Sequence, residues 1–206
     1  MEKVVKRKDV IHPTAQALMD CTIGLMEKND HTPTSDEVLE ASGISKGSMY
    51  HFFEDYSDLV ESAEIQRFSH FVDLMCGELV TFFKGIPDRD VARTQMIEAV
   101  QRQISHKFTS SNFHYSSIFT QASNNVRMRA KLMAQQDRLN ELWIELFGVC
   151  AVKGWTRTEM DPRSASIIIQ SLEFGLIVDQ LQETQLSQRN WKDLVEQMVD
   201  NIFFAN

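Results

Sequence analysis

Residues 41–53 read ASGISKGSMYHFF. Ser45, Lys46, Gly47, Ser48, Tyr50 and His51 alternate there with Ile44, Met49, Phe52 and Phe53. A core helix would be more apolar, and a solvated one would rarely hold so many aromatics. Just upstream, TSDEVLEAS opens with Thr34 and has Glu37 three residues later. That spacing is a capping box, in which each side chain satisfies an orphan amide at a helix start. Gly43 suits the left-handed position past the helix end. Ser45 can cap a second, short helix over about 46–52. The stretch therefore predicts helix, glycine turn, helix. Val38, Ile44, Met49 and Phe53 can bury the joint against a preceding helix at about 14–28, whose stripe is Leu18, Cys21, Thr22 and Leu25.

Helical periodicity continues downstream. A long helix is predicted from Ser57 to about residue 84, where KGIPDRD breaks it. Asp88 can cap a helix over about 89–107. FHYSSIFTQAS reads as a short helix, and the run from Asn124 as a long one stopped by Gly154. Asp161-Pro162 starts a helix over 162–183, with proline at the first helical position. Asn190 can cap a last helix carrying Trp191, Leu194, Val195, Met198, Val199, Ile202 and Phe203. The prediction is an all-α chain of about nine helices with no strand. It has an N-terminal helix-turn-helix domain at 1–56 and a helical domain at 57–206.

Composition narrows the function classes. The three cysteines, Cys21, Cys76 and Cys150, are widely spaced and in apolar contexts, which fits buried thiols in a reducing cytoplasm. The basic start MEKVVKRKDVIHP is not followed by a signal-type apolar stretch, and no run of 18 apolar residues predicts a membrane span. The six histidines show no HxxxH or HExxH spacing, so no metal site is expected. Without a GxSxG motif, a phosphate-binding glycine loop or a framed carboxylate pair, neither catalysis nor a cofactor is expected.

The short helix has the chemistry to enter a DNA groove, presenting its first residues to base edges and phosphates. Ser45 and Ser48 are small donors, Lys46 is a charge, and the helix start favours an anion. Gly47 costs roughly 1 kcal/mol in a helix interior, so something needs the missing side chain. Tyr50 and His51 are polar-tipped aromatics that can reach backbone or bases.

TSDEVLEASGISKGSMYHFFEDYSDLVESA, and GISKGSMYHFF above all, resembles the DNA-binding domain of TetR-type (tetracycline-repressor-like) transcriptional regulators. The resemblance covers about residues 14–60. It implies a homodimer on a double-stranded DNA operator, with three short helices for DNA and further helices for a ligand pocket and a dimer interface. Carried over, the DNA contacts fall on Thr34 or Ser35 at the second helix's start, then Lys46, Gly47, Ser48, Tyr50 and His51. The family usually has a phosphate-contacting lysine near the start of the fourth helix. Tyr56 stands there, behind Glu54 and Asp55. A tyrosine hydroxyl can bond a phosphate but adds no charge, so the salt dependence should be shallower. Lys3, Lys6, Arg7 and Lys8 can compensate as a basic arm.

The resemblance further implies that the helix at 162–183 and the last helix pair with their symmetry mates as a four-helix bundle. Gly175 would let another helix come close. A pocket for a small-molecule effector is implied among the middle helices, where Phe71, Met75, Met96, Phe113, Tyr115, Phe119, Trp143 and Phe147 are the candidates. His114, Gln121 or Glu173 can supply a polar handle, and residues 108–119 are the most pocket-like stretch. The expected function is a ligand-responsive repressor. The competing reading is a helical interaction module that does not read DNA, because residues 1–60 set six basic side chains against eleven acidic ones.

Overall fold

The computed structural model describes the backbone of residues 11–29, 31–105, 110–156 and 161–204, and their side chains except at 71, 74–78, 102–105, 110–115, 173, 202 and 203. Among the described residues the chain is all-helical: α1 (Pro13–Asn29), α2 (Ser35–Ser42), α3 (Lys46–Phe52), α4 (Tyr56–Gly85), α5 (Arg89–Ser105), α6 (Ser110–Asn124), α7 (Val126–Val152), α8 (Pro162–Gln180), α9 (Gln188–Met198) and a closing π-helical turn, Val199–Phe203. An isolated antiparallel bridge joins Thr156 to Phe204. The chain packs as two compact units, Met1–Phe68 and Ser69–Asn206.

In the first unit, capping sets the boundaries. Thr34 Oγ1 accepts from the Glu37 amide at 3.4 Å, while the Glu37 carboxylate accepts from the Thr34 amide at 2.7 Å and its hydroxyl at 2.8 Å. The expected capping box is therefore present. Gly43 ends α2 at φ 65°, and its amide donates to the Leu39 carbonyl at 3.1 Å. Ser45 starts α3 by accepting from the Ser48 amide at 3.1 Å. Ala15, Leu18 and Met19 of α1, Val38 of α2, Met49 of α3, Phe53, and Leu59 and Ala63 of α4 form one core. The first turns of α4 thus complete the helix-turn-helix rather than merely following it.

The second unit packs α7 against α6 and α8, and α5 against α9. Phe83, Ile118, Met128, Val195, Val199 and Phe204 are fully buried. The Arg93 guanidinium of α5 holds Glu196 of α9 at 3.0 Å and also Asp200. This pairing holds the Asp200 carboxyl below its usual range and pushes Arg93 up. The Lys153 ammonium donates to the carbonyls of Phe83, Lys84 and Ile86 at 3.2, 3.1 and 2.7 Å, and lies 4.5 Å from the Trp155 ring centre. It closes the C-terminal end of α4, where carbonyls lack helical partners.

Two boundaries differ from the sequence prediction. Helix α8 ends at Gln180, short of residue 183, because buried Asp179 turns to accept the Leu186 amide at 3.0 Å and the Trp191 indole at 3.0 Å. Helix α9 is capped by Ser187, not Asn190; the Asn190 amide is the donor to Ser187 Oγ at 3.2 Å. The last two residues predicted for α5, 106 and 107, lie outside the described residues.

Candidate nucleic-acid interface and effector region

Helix α3 divides cleanly into two faces. Met49 is fully buried and the following Phe53 nearly so. Ser45, Lys46, Gly47, Tyr50 and His51 are exposed, and Ser48 is half-buried with its hydroxyl 2.9 Å from that of Ser45. Positions 46, 47, 50 and 51 lie together on the turn opposite the core. Tyr50, a large aromatic, is left 49% exposed. A Cβ on Gly47 would meet nothing nearer than Ser45 Oγ at 3.9 Å. The fold itself therefore does not require glycine there. The exposed face offers one cation, two polar aromatic tips and a bare stretch of backbone, a set suited to a polyanionic groove.

His12 and Phe52 frame this face. Their rings stack with centroids 4.6 Å apart, and His51 meets Phe52 edge-on at 4.8 Å. His12 Nδ1 also accepts from the Thr14 amide at 3.2 Å, an end group for α1. Histidine is not a usual cap, and in the sequence only Pro13 at the helix start points to His12 in that role. At the start of α2, Thr34 is exposed and Ser35 half-buried.

Tyr56 opens α4, half-buried against the first-unit core. Its hydroxyl donates to the carbonyl of buried Pro33. Burial, then the nearby Glu37 carboxylate, pushes the phenol up to about 12. Asp55 and Asp58 form a second capping pair at the α4 start: Asp55 accepts from the Asp58 amide at 2.7 Å, and Asp58 from the Glu54 amide at 3.0 Å. Asp55, ahead of Tyr56, thus serves the helix end. Lys6 and Arg7, with the rest of the basic arm, lie outside the described residues.

In the second unit, Trp143 and Phe147 are buried on α7, their ring centres 5.9 Å apart. Phe119 of α6 is half-buried and meets Phe174 of α8 edge-on at 5.7 Å. The side chains of Phe71, Met75, Phe113, His114, Tyr115 and Glu173 lie outside those described. Gln121 is exposed and bonds Ser117 at 2.9 Å. Two polar groups escaped the sequence reading. The amide nitrogens of Gln101 and Gln136 are buried without a hydrogen-bond partner among the described residues. Gln136 shares a helical face with buried Leu132, Leu139 and Trp143, and a glutamine within such a stripe is the signal that could have found it. A separate apolar stripe stays exposed on α8: Ile167 63%, Phe174 41% and Val178 60%, leading to Leu181 at 74%.

Among the described residues no cluster of histidine, cysteine or carboxylate side chains is placed to hold a metal ion. None of the described helices is long and apolar enough to cross a membrane.

No family model and no curated protein matches the sequence. Solved structures do match the fold. One is a protein assigned to the TetR family of transcriptional regulators from Mesorhizobium loti, with a TM-score of 0.67 and 12% identity over 93% of this chain and 97% of that one. A transcriptional regulator from Saccharomonospora viridis in complex with choline has a TM-score of 0.63 and 13% identity over 93% and 98%. The transcriptional regulator FadR from Bacillus subtilis in complex with stearoyl-CoA has a TM-score of 0.58 and 12% identity over 90% and 97%. The chain has the fold of TetR-family regulators: an N-terminal helix-turn-helix followed by a helical region.

Proposed function

We propose that this chain is a DNA-binding transcriptional regulator, acting in the cytoplasm as a homodimeric repressor released from a palindromic operator by a small-molecule effector. Residues 1–56 read DNA, and residues 57–206 hold the effector and the dimer contact. The observation that carries the reading is the exposed α3 face, where Lys46, Gly47, Tyr50 and His51 are turned away from the core and Gly47 has no packing reason to be glycine. Thr34 and Ser35 at the start of α2 meet the backbone beside it, and Lys6 and Arg7 reach further phosphates.

The exposed stripe of Ile167, Phe174, Val178 and Leu181 supports a two-fold contact through α8. Such pairing sets two recognition helices on two half-sites. The effector lies in the second unit against Trp143, Phe147 and Phe119, with the Gln136 amide as donor. Choline and stearoyl-CoA in the similar structures differ so much in size and polarity that the fold alone does not select a ligand. Effector and operator weaken each other's binding by the same factor.

Selection from a random duplex pool, followed by fluorescence anisotropy on the enriched sequence, tests the reading. Lys46→Ala combined with Tyr50→Ala is expected to weaken that complex at least about tenfold. Undiminished binding by the double variant would overturn this recognition surface, whereas no enriched sequence would favour an interaction module, to which the acidic balance of residues 1–60 is suited.

A further inference from the structure

We infer that Tyr56 is a positioning residue that latches the start of α4 to the entry of α2 and so aims Thr34 and Ser35, rather than itself holding a phosphate. The inference rests on the DNA-binding reading above.

A phosphodiester oxygen can only accept hydrogen bonds, and a phenol has a single proton to give. Tyr56 gives that proton to the Pro33 carbonyl, 23 residues back in the chain. To reach a phosphate it would have to leave a buried residue's carbonyl unpaired, which carries its own penalty. The surroundings also oppose an anion. Glu37 is close enough to raise the Tyr56 phenol, and Asp55 and Asp58 are engaged at the adjoining end of α4. Tyr56, meanwhile, packs against the first-unit core, whose members include Val38 and Leu59.

What the latch holds is the α2 entry. Pro33 precedes Thr34, whose backbone amide and hydroxyl are both engaged by Glu37 and whose carbonyl accepts from the Val38 amide at 3.1 Å. Tyr56, Pro33, Thr34 and Glu37 thus form one chain of contacts from the first residue of α4 to the first turn of α2. Where a lysine would contribute charge at the DNA surface, this tyrosine contributes rigidity.

The test compares the full chain with Tyr56→Phe and Tyr56→Lys. In free protein, Tyr56→Phe is expected to keep the helical circular dichroism while speeding hydrogen exchange at the Glu37 and Val38 amides. On the selected duplex it should bind about three- to tenfold more weakly, with an unchanged dependence on salt. Tyr56→Lys should also bind more weakly, since it loses the same bond. The inference is overturned if exchange in free Tyr56→Phe matches the parent, or if Tyr56→Lys binds more tightly with a salt slope steeper by about one. A parent chain that enriches no duplex defeats the DNA-binding reading instead, while the exchange comparison still decides whether the latch exists.

Discussion

Gly47 separates what the fold needs from what a partner needs. Its site has room for a methyl group, with Ser45 Oγ at ordinary contact distance. Gly47→Ala should therefore leave thermal stability unchanged or raise it by up to about 1 kcal/mol, yet weaken operator binding by about tenfold as the methyl meets the sugar-phosphate strand. Melting curves and anisotropy titrations report the two effects separately. Thr34→Ala, by contrast, should also destabilise the fold: losing the cap should cost about 1 kcal/mol, seen in urea denaturation. Tyr56 also gives a pH signature. Its phenol is pushed up to about 12 in the folded chain, against about 10 when unfolded. Folding thus favours the neutral form. That contribution is complete below about pH 10 and is lost as pH climbs toward 12. Denaturation series across this window should show an alkaline loss that is smaller in Tyr56→Phe.

At the level of the helices, the ends decide most of the architecture. Lys153 holds three carbonyls at the end of α4 from a position about 70 residues further along the chain. Lys153→Met keeps the aliphatic stem and should lower stability by about 1–2 kcal/mol, measured by chemical denaturation. Helix ends built from local spacing were legible in advance: Thr34 with Glu37, Gly43, Ser45 and Asp161 all act as their neighbours in sequence predict. Ends that depend on distant partners were not. Nothing in the residues around 180 shows that Asp179 will be drawn to the Leu186 amide and the Trp191 indole, where α8 ends short. The candidate interface followed the same rule. The α3 face was readable from its residues, whereas the Tyr56–Pro33 bond joins positions no periodicity connects. Gln136 lay between, visible only as a polar break in the stripe of Leu132, Leu139 and Trp143.

For the whole molecule, the decisive question is pairing. The exposed α8 stripe of Ile167, Phe174, Val178 and Leu181 is the described apolar surface best suited to a second copy. Val178→Asp, at a position 60% exposed, should leave each chain folded but shift sedimentation equilibrium from dimer to monomer. It should also abolish tight binding to a palindromic duplex, because one half-site contact cannot replace two. The scarcity of exposed cations on the described first unit, where Lys28 and Lys46 stand among acidic neighbours, has a kinetic consequence. Off-target chromosomal DNA retains a protein chiefly because protein cations release the counterions condensed on its phosphates, and the described part of this surface has few cations to do so. On the proposed DNA-binding reading, stays on decoy sequence should be brief, and the target should be found by repeated collision from solution more than by gliding along the duplex. By the same reading, a modest pool of molecules should stay at liberty to meet an effector and let go quickly.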